Sequence, residues 1–250
     1  MYNLEKASEN NIIISNVPSY SPNSIAEFAV TSALQLVRKT HLIEQKVMEK
    51  DFRWQVPIMA KEVKSLEVAI IGTGRIGQIA AQVFNAFGSK VVGFDLYQNE
   101  QAKQHLEYKD TIEEVIANAD IVSIHMPATE DNYHLFNKEL FNQFKDGAVL
   151  VNTARGSIVD TKALLQALDS GKISGAALDT YENESAYFPK DFRETEISDP
   201  ILKELMMHPD VILTPHIAFY TDIAVKNLVE GGLGAALSVI NTGTCETRVN

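Results

Sequence analysis

The stretch VAIIGTGRIG at residues 68–77 decides the fold. A short apolar run leads directly into Gly72, Gly74 and Gly77, and a helical pattern follows. In such a unit the first glycine permits a tight turn and the second lets the backbone approach a pyrophosphate, while the third lets the helix pack on the strand. The helix N-terminus then faces the phosphate charge. The stretch predicts a strand, a turn and a helix that bind a dinucleotide.

A carboxylate ends the next predicted strand. Asp95 lies 18 residues after Gly77, where it can accept hydrogen bonds from ribose hydroxyls and repel a 2′-phosphate. This placement favours NAD over NADP. Under the alternative, the glycines only make a turn and Asp95 only caps a strand; the combination of strand, helix and acid makes this the weaker interpretation.

Short β-branched runs alternate with helical patterns on both sides of this unit. Alternation of this kind predicts a doubly wound α/β fold, a parallel sheet with helices on both faces. The predicted strands are VAII at 68–71, KVVGFD at 90–95, DIVSIHM at 120–126, AVLVN at 148–152, GAALD at 175–179 and VILT at 211–214. The predicted helices between them are 76–87, 111–118 and 160–170.

Two flanks lie outside the alternating region. NIIIS at 11–15 is predicted as a short strand, and a long helix is predicted to begin at Ser21 with Pro22 in its first turn. Its apolar residues recur at helical spacing, so one face is committed to packing. A further helix is expected over 221–240 despite the glycines at 231–234, and 183–199 is expected to be a loop.

Composition excludes several classes of protein. The formal charge is −11 without a Lys/Arg cluster, so nucleic acid is not an expected partner. No run approaches the roughly 18 apolar residues of a membrane span, so we expect a cytoplasmic protein. The single cysteine, Cys245, fits a reducing compartment. The six histidines show no ligand spacing, so no metal is expected.

Three further segments end strands on the rim where open α/β folds bind ligands. They are HMP at 125–127, NTARG at 152–156 and TPHIAFYT at 214–221. Alone, Arg155 would be interpreted as a surface ion pair, His216 as a structural histidine, and Glu184 and Asp179 as loop charges. Together, an arginine, a carboxylate and a histidine on one rim suit hydride transfer to a 2-oxo acid.

The chemistry assigns a role to each residue. The nicotinamide carries the hydride, so the protein must orient the acid and deliver one proton. Arg155 would hold the substrate carboxylate with two parallel hydrogen bonds and polarise the oxo group. His216 would be the acid in reduction and the base in oxidation, and Glu184 would orient its ring and favour its protonated form.

In their order, GTGRIG with Asp95, then NTARG, ALDTYENE and TPHIAFYT, the motifs resemble those of the D-isomer-specific 2-hydroxyacid dehydrogenases. The resemblance gives Arg155, Glu184 and His216 the catalytic roles above. It also implies that Tyr20 and Phe219 line the substrate pocket. HIAFYT and AYFPKDFRETEISDPIL are similar to the D-lactate dehydrogenase branch, which implies D-lactate and pyruvate as substrates.

The resemblance also implies a cofactor site and a domain division. The expected NAD-binding residues are Gly72, Gly74, Arg75, Ile76, Gly77, Asp95, Met126, Pro127, Asn132, Thr153, Ala154, Arg155 and Asp179. A Rossmann-like NAD-binding domain is expected over 21–218. Residues 1–20 and 219–250 are expected to be the remnant of a substrate domain. The resemblance also implies a homodimer in which the apolar face of the helix from Ser21 pairs with its copy.

One departure from the family leaves alternatives open. Family members begin with substrate-domain strands that precede MYNLEKASENNIIISNVP, so the chain resembles an N-terminally truncated member, which we expect to reduce pyruvate slowly. Three hypotheses remain: an active 2-oxo acid reductase, an impaired homolog that still binds NAD, or an NAD-sensing interaction protein. The retained Arg155, Glu184 and His216 favour the first, the truncation favours the second, and no sequence feature marks a partner surface for the third.

Overall fold

A seven-stranded, all-parallel sheet organises the computed structural model, which describes residues 3–250. Its spatial order is β3-β2-β1-β4-β5-β6-β7, so the chain reverses direction across the sheet between β1 and β4. The strands are β1 Glu67–Ile71, β2 Lys90–Phe94, β3 Glu107–Tyr108, β4 Ile121–Ile124, β5 Ala148–Asn152, β6 Ile173–Leu178 and β7 Val211–Leu213. The predicted doubly wound fold is confirmed. The short β3 was not predicted.

Helices flank the sheet, and capping residues start several of them. Asp160 accepts hydrogen bonds from the backbone of Lys162 and Ala163, which fixes the start of α7, and Gly171 follows that helix with a φ of +75°. The helices are α1 Leu4–Glu9, α2 Pro22–Arg38, α3 Thr40–Met48, α4 Arg75–Ala86, α5 Ile112–Ile116, α6 Lys138–Phe141, α7 Thr161–Asp169, α8 Pro200–Met207 and α9 Asp222–Thr242.

Successive residues along a strand belong alternately to two separate hydrophobic cores. Ile71 belongs to a cluster that includes Val122 and Leu150, whereas Ile70 belongs to one that includes Leu36 of α2 and Phe84 of α4. Successive side chains of a strand point to opposite faces, so both faces of the sheet are apolar and covered. The carboxyl ends of the strands, where the sequence motifs lie, remain the open rim.

The chain divides into two compact units. The larger unit is Ile25–Ala218 and contains the whole sheet, and the other unit runs to Ser24 and resumes over Phe219–Asn250. Within the smaller unit, Gly231 lets α9 approach Val17 closely, because a Cβ at Gly231 would lie 2.8 Å from Val17 Cγ1. Gly231 therefore serves packing, and the helix continues through Gly232 and Gly234 to Thr242.

Several expectations about the flanks were wrong. Residues 11–15 form no strand: Ser15 makes a single antiparallel bridge to Arg248, and the helix α1 precedes them. The backbone N–H of Ile14 donates to the Asn250 side chain, so pairing stops there. Helix α8 was not predicted and begins directly after the expected loop. Its signal, Asp199 as a cap before Pro200, was present in the sequence.

One helix of the described residues is long and apolar enough to cross a membrane. Over α9 the mean hydropathy reaches 1.4, and 11% of that window is buried. The expectation that no run approaches a membrane span is corrected, because the isoleucine, valine, leucine and alanine residues of α9 raise its mean hydropathy over the criterion despite its polar residues. The finding concerns length and composition alone.

Candidate active site

The glycine turn between β1 and α4 closes backbone against backbone. A Cβ at Gly77 would lie 2.0 Å from the carbonyl oxygen of Gly72, and Gly72 itself has a φ of +94°. Around Gly74, by contrast, no atom of the described residues lies within 4 Å of a Cβ position. Because Gly74 is also the N-cap of α4, the N-terminus of that helix has room for a pyrophosphate.

Asp95 lies directly beside this turn. Its Oδ2 accepts a hydrogen bond of 2.6 Å from the Thr73 N–H, and Oδ1 accepts one of 3.0 Å from the Tyr97 N–H. Thr73 also contacts the Tyr108 hydroxyl at 2.5 Å. Each carboxylate oxygen has further acceptor capacity, so Asp95 can still bind ribose hydroxyls. Sequence reasoning missed Tyr108, which stands on the unpredicted strand β3.

The turn after β5 is shaped by one buried amide. Asn152, fully buried, donates from Nδ2 to the Arg155 carbonyl and accepts at Oδ1 from the Ala154 N–H. Beside it, the Thr153 hydroxyl is buried and has no hydrogen-bond partner among the described residues. An orphaned hydroxyl at a strand end fits a bound polar group such as a nicotinamide nucleotide.

The HMP segment after β4 contributes backbone rather than acid–base chemistry. A Cβ at Gly72 would lie 2.6 Å from the backbone nitrogen of Met126, so this segment packs against the glycine turn. Asn132 Nδ2 donates to the Pro127 carbonyl at 2.8 Å and closes the loop. Burial lowers the pKa of His125 to about 4, so His125 is neutral near pH 7.

His216 and Glu184 form a hydrogen-bonded pair. His216 Nδ1 lies 2.8 Å from Glu184 Oε1, and Glu184 Oε2 accepts from the Tyr181 N–H at 3.0 Å. The hydrogen bond with Glu184 raises the pKa of His216 above its usual value, against the opposing effect of burial. Burial alone would raise the pKa of Glu184, but the bonds from His216 and Tyr181 hold it below its usual value. Both shifts favour an ionised pair.

A buried carboxylate holds His216 in a strained conformation. His216 has a φ of +54°, in the left-handed region. Asp179, 2% exposed, accepts from the Thr214 hydroxyl at 2.6 Å and from the N–H groups of Ile217 and Ala218 at 2.9 Å. Backbone strain of this kind costs about 1–3 kcal/mol and persists only where the surroundings fix it. Sequence reasoning placed Asp179 near the cofactor and missed this anchoring role.

Arg155 supplies a cation to the site. It is exposed, and its guanidinium donates to the Ala154 carbonyl at 2.7 Å. Within residues 3–250 it forms no salt bridge. Its charge is near enough to lower the pKa of Glu184 and to oppose protonation of His216. The larger unit thus brings together Arg155, Glu184 and His216, and leaves the guanidinium open to an anion.

The two predicted substrate-pocket residues lie in the smaller unit and contact each other. The rings of Tyr20 and Phe219 meet edge to face with centroids 5.9 Å apart. The Tyr20 carbonyl accepts from Asn227 at 3.2 Å, and the hydroxyls of Ser24 and Thr221 are 2.8 Å apart. These bonds hold residues 20–24 beside the start of α9.

Comparison with known proteins gives a single family. Residues 30–218 match the model of the D-isomer specific 2-hydroxyacid dehydrogenase, NAD binding domain. The chain is 56% identical over 250 residues to a D-lactate dehydrogenase of Streptococcus pyogenes serotype M1, covering 100% of this chain and 76% of that protein. The chain therefore spans about three-quarters of the length of this relative.

Solved structures agree with this match. A crystal structure of a D-lactate dehydrogenase from Treponema pallidum superposes with a TM-score of 0.95 at 48% identity, covering 100% of this chain and 75% of that chain. The D-lactate dehydrogenase of Lactobacillus jensenii, solved with NAD+, gives a TM-score of 0.92 at 35% identity with 100% and 75% covered. The similarity extends over the sheet, the glycine turn and the strand-end residues described above.

Proposed function

The chain belongs to the family of D-isomer-specific 2-hydroxyacid dehydrogenases, and from this membership we propose that it interconverts pyruvate and D-lactate with NAD(H). The observation that carries the proposal is the hydrogen-bonded His216–Glu184 pair together with the Arg155 guanidinium, which forms no salt bridge within the described residues. A proton donor and an anion clamp at the rim of a nucleotide-binding sheet are what reduction of a 2-oxo acid requires.

Each residue has a defined step. NAD, when bound, supplies or accepts the hydride. Arg155 binds the substrate carboxylate through two guanidinium N–H groups and so fixes the orientation of the neighbouring carbonyl. His216 Nδ1 is engaged by Glu184, which leaves Nε2 to donate a proton to the carbonyl oxygen as the carbon gains hydride. In oxidation the same nitrogen accepts the hydroxyl proton.

The cofactor assignments follow from the turn and the strand ends. We assign the pyrophosphate to the turn around Gly74 and the ribose to Asp95, with the nicotinamide side formed by the segments that contain Met126 and Thr153. The proposal also includes the other cofactor-binding residues expected from the sequence, which are Gly72, Arg75, Ile76, Gly77, Pro127, Asn132, Ala154, Arg155 and Asp179. Tyr20 and Phe219 are the proposed substrate-contacting residues, and the smaller unit is proposed to belong to the substrate domain.

A panel of 2-oxo acids tests the activity. NADH oxidation is followed with pyruvate and with 2-oxo acids of longer side chains, using wild-type protein and His216→Ala as the matched blank. We expect pyruvate to give the highest kcat/KM and His216→Ala to lose it. A wild-type rate equal to that of His216→Ala for every acid would remove the proposal.

We also propose a homodimer, but not through the face of α2. The sequence predicted that this face would pair with a second copy, but it packs within its own subunit. Ala29, Ala33 and Leu36 are fully buried against the sheet. In the larger unit, a run of exposed apolar side chains begins at the end of α3. Met48, Phe52, Trp54, Val56 and Met59 are all between 69% and 98% exposed. Clustered apolar side chains of this size mark an interaction surface.

The charge of this segment favours a second copy as its partner. Residues 39–64 carry six basic and four acidic residues in a chain of net charge −11. Residues 182–210 carry eight acidic and three basic residues and line an aromatic cavity of about 920 Å³ with Tyr187, Phe188 and Phe192. A segment of one subunit can therefore seat its apolar side chains and its charge against the other.

Trp54 reports on this association directly, because it is the only tryptophan of the chain. We expect light scattering to give a dimer whose tryptophan emission shifts to the red on dilution. Phe52→Ser should weaken the dimer, whereas Leu96→Ser, at a site that is even more exposed, should not. A monomer at micromolar concentration, or equal effects of both variants, would remove the proposal. We also propose a cytoplasmic location, which is consistent with the free Cys245. We propose no nucleic acid or membrane partner.

A further inference from the structure

A second histidine–carboxylate pair lies in the larger unit, apart from the catalytic pair. His134 Nε2 is 2.8 Å from Glu182 Oε2, and both side chains are mostly buried, at 27% and 17% exposure. Two further contacts hold His134 in place. Its ring stacks on Tyr133 with centroids 4.0 Å apart, and its backbone N–H donates to the Ser157 carbonyl at 2.9 Å. The proposed mechanism uses neither residue.

Glu182 belongs to the same loop as Glu184. Glu184 bonds to His216, whereas Glu182 bonds to His134 with one oxygen and accepts the Thr161 N–H at 3.3 Å with the other. The loop is therefore tied at two points, once to the proton donor and once to the start of α7. Glu182 fixes the loop two residues before Glu184, independently of the bond to His216.

The loop also presses on the segment that carries Arg155. A Cβ at Gly156 would lie 2.1 Å from the Tyr181 carbonyl carbon and 2.4 Å from the Glu182 nitrogen. Backbone contacts this close leave no room for an independent shift of either segment. The position of residues 181–184 is thus coupled to the turn after β5.

His134 connects this loop to the cofactor side of the site. It follows Asn132, which closes the loop after β4 through Pro127, and it has a φ of +50°, a left-handed conformation. A non-glycine residue in this region is strained and persists where its contacts hold it. His134 therefore bridges three segments: residues 126–134, residues 156–161 and residues 181–184.

From this geometry we propose that His134 and Glu182 are positioning residues that hold the 181–184 loop so that Glu184 meets His216. This inference rests on the proposed role of His216 as proton donor, and neither residue touches substrate. When the His134–Glu182 hydrogen bond is removed, Glu184 loses its fixed orientation and its hydrogen bond to His216 weakens. The pKa of His216 then falls, because that bond is the main cause of its elevation.

The test measures the His216 pKa by NMR of ring-labelled histidines, with the six signals assigned by single replacements. In His134→Ala we expect the His216 pKa to fall by about half a unit or more. His134 is not among the groups that mainly set the His216 pKa, so a fall reports the orientation of Glu184. Asp179, Glu184 and Arg155 are the charged groups acting on His216, and all are retained.

Two further variants and a control complete the test. His134→Phe keeps the ring beside Tyr133 but removes the hydrogen bond, so it should reproduce the fall, whereas His134→Gln keeps a donor and should restore the wild-type value. His208→Ala removes a histidine paired with Asp169 at 3.8 Å before β7, and should leave His216 unchanged. An unchanged His216 pKa in folded His134→Phe, or an equal fall in His208→Ala, would overturn the proposal. Since the readout needs no turnover, it is independent of the outcome with pyruvate.

Discussion

At the scale of single residues, the site depends on the protonation state of one imidazole. The hydrogen bond with Glu184 raises the pKa of His216, so the imidazole keeps its proton to a higher pH than an ordinary histidine does. Reduction needs that proton and should be lost as pH rises through the raised pKa, while oxidation should be gained over the same interval.

Glu184→Gln should shift the pH at which reductase activity is lost. The neutral amide no longer stabilises the imidazolium, so the pKa of His216 should fall and the loss of reductase activity should begin at lower pH. Profiles of kcat/KM against pH for both proteins measure the shift. Coincident profiles would show that Glu184 does not set the protonation of His216.

Arg155→Lys tests the anion clamp. Lysine keeps the charge but loses the planar pair of donors, so kcat/KM for pyruvate should fall by about 100-fold or more while NADH binding changes little. NADH fluorescence titration provides the binding control. A lysine variant with near wild-type kcat/KM would show that Arg155 acts only as a charge.

Asp95→Ala tests recognition of the ribose. We expect NADH to bind about tenfold more weakly, as a lost charged hydrogen bond predicts, and NADPH to bind equally well or better. Asp95 also accepts from the Thr73 N–H, so the melting temperature must be measured alongside. Equal weakening for both cofactors would place the role of Asp95 in the turn rather than at the ribose.

At the scale of elements, a matched pair of glycines separates packing from ligand space. Gly156→Ala places a Cβ 2.1 Å from the Tyr181 backbone, so it should destabilise the fold by about 1–3 kcal/mol and disturb the loop of Glu184. Gly74→Ala meets no described atom within 4 Å and should leave the melting temperature unchanged, yet weaken NADH. The reverse pattern in thermal unfolding and NADH titration would contradict both assignments.

The elements also show what the sequence can predict. Six of the seven strands, all except β3, and helices α4, α5 and α7 follow from periodicity and caps, because local pattern and tertiary burial agree there. Residues 11–15 carry a strand pattern but form only one bridge, at Ser15, because their partners are distant residues near the C-terminus. Likewise, α2 is amphipathic, but sequence alone does not say whether its apolar face meets the sheet or a second copy.

At the scale of the whole molecule, the motifs predicted which residues gather at the rim, but not how they are held. GTGRIG, NTARG and TPHIAFYT each follow a strand, and parallel strands bring their ends together, so Arg155 and His216 were predictable. The anchoring by Asp179 and the bridge from His134 to Glu182 join residues 35 to 48 positions apart, and no local pattern specifies them. Such long-range polar contacts depend on the folded structure and cannot be predicted from local sequence.

The stereochemistry of the product tests the central claim most directly. The purified protein is incubated with pyruvate and NADH until product accumulates, and lactate enantiomers are quantified against an identical incubation of His216→Ala, so that slow turnover is still detected. We predict D-lactate formed in equal amount to the NADH consumed, and none above background with His216→Ala. L-lactate, or no lactate above the His216→Ala level, would contradict the assignment.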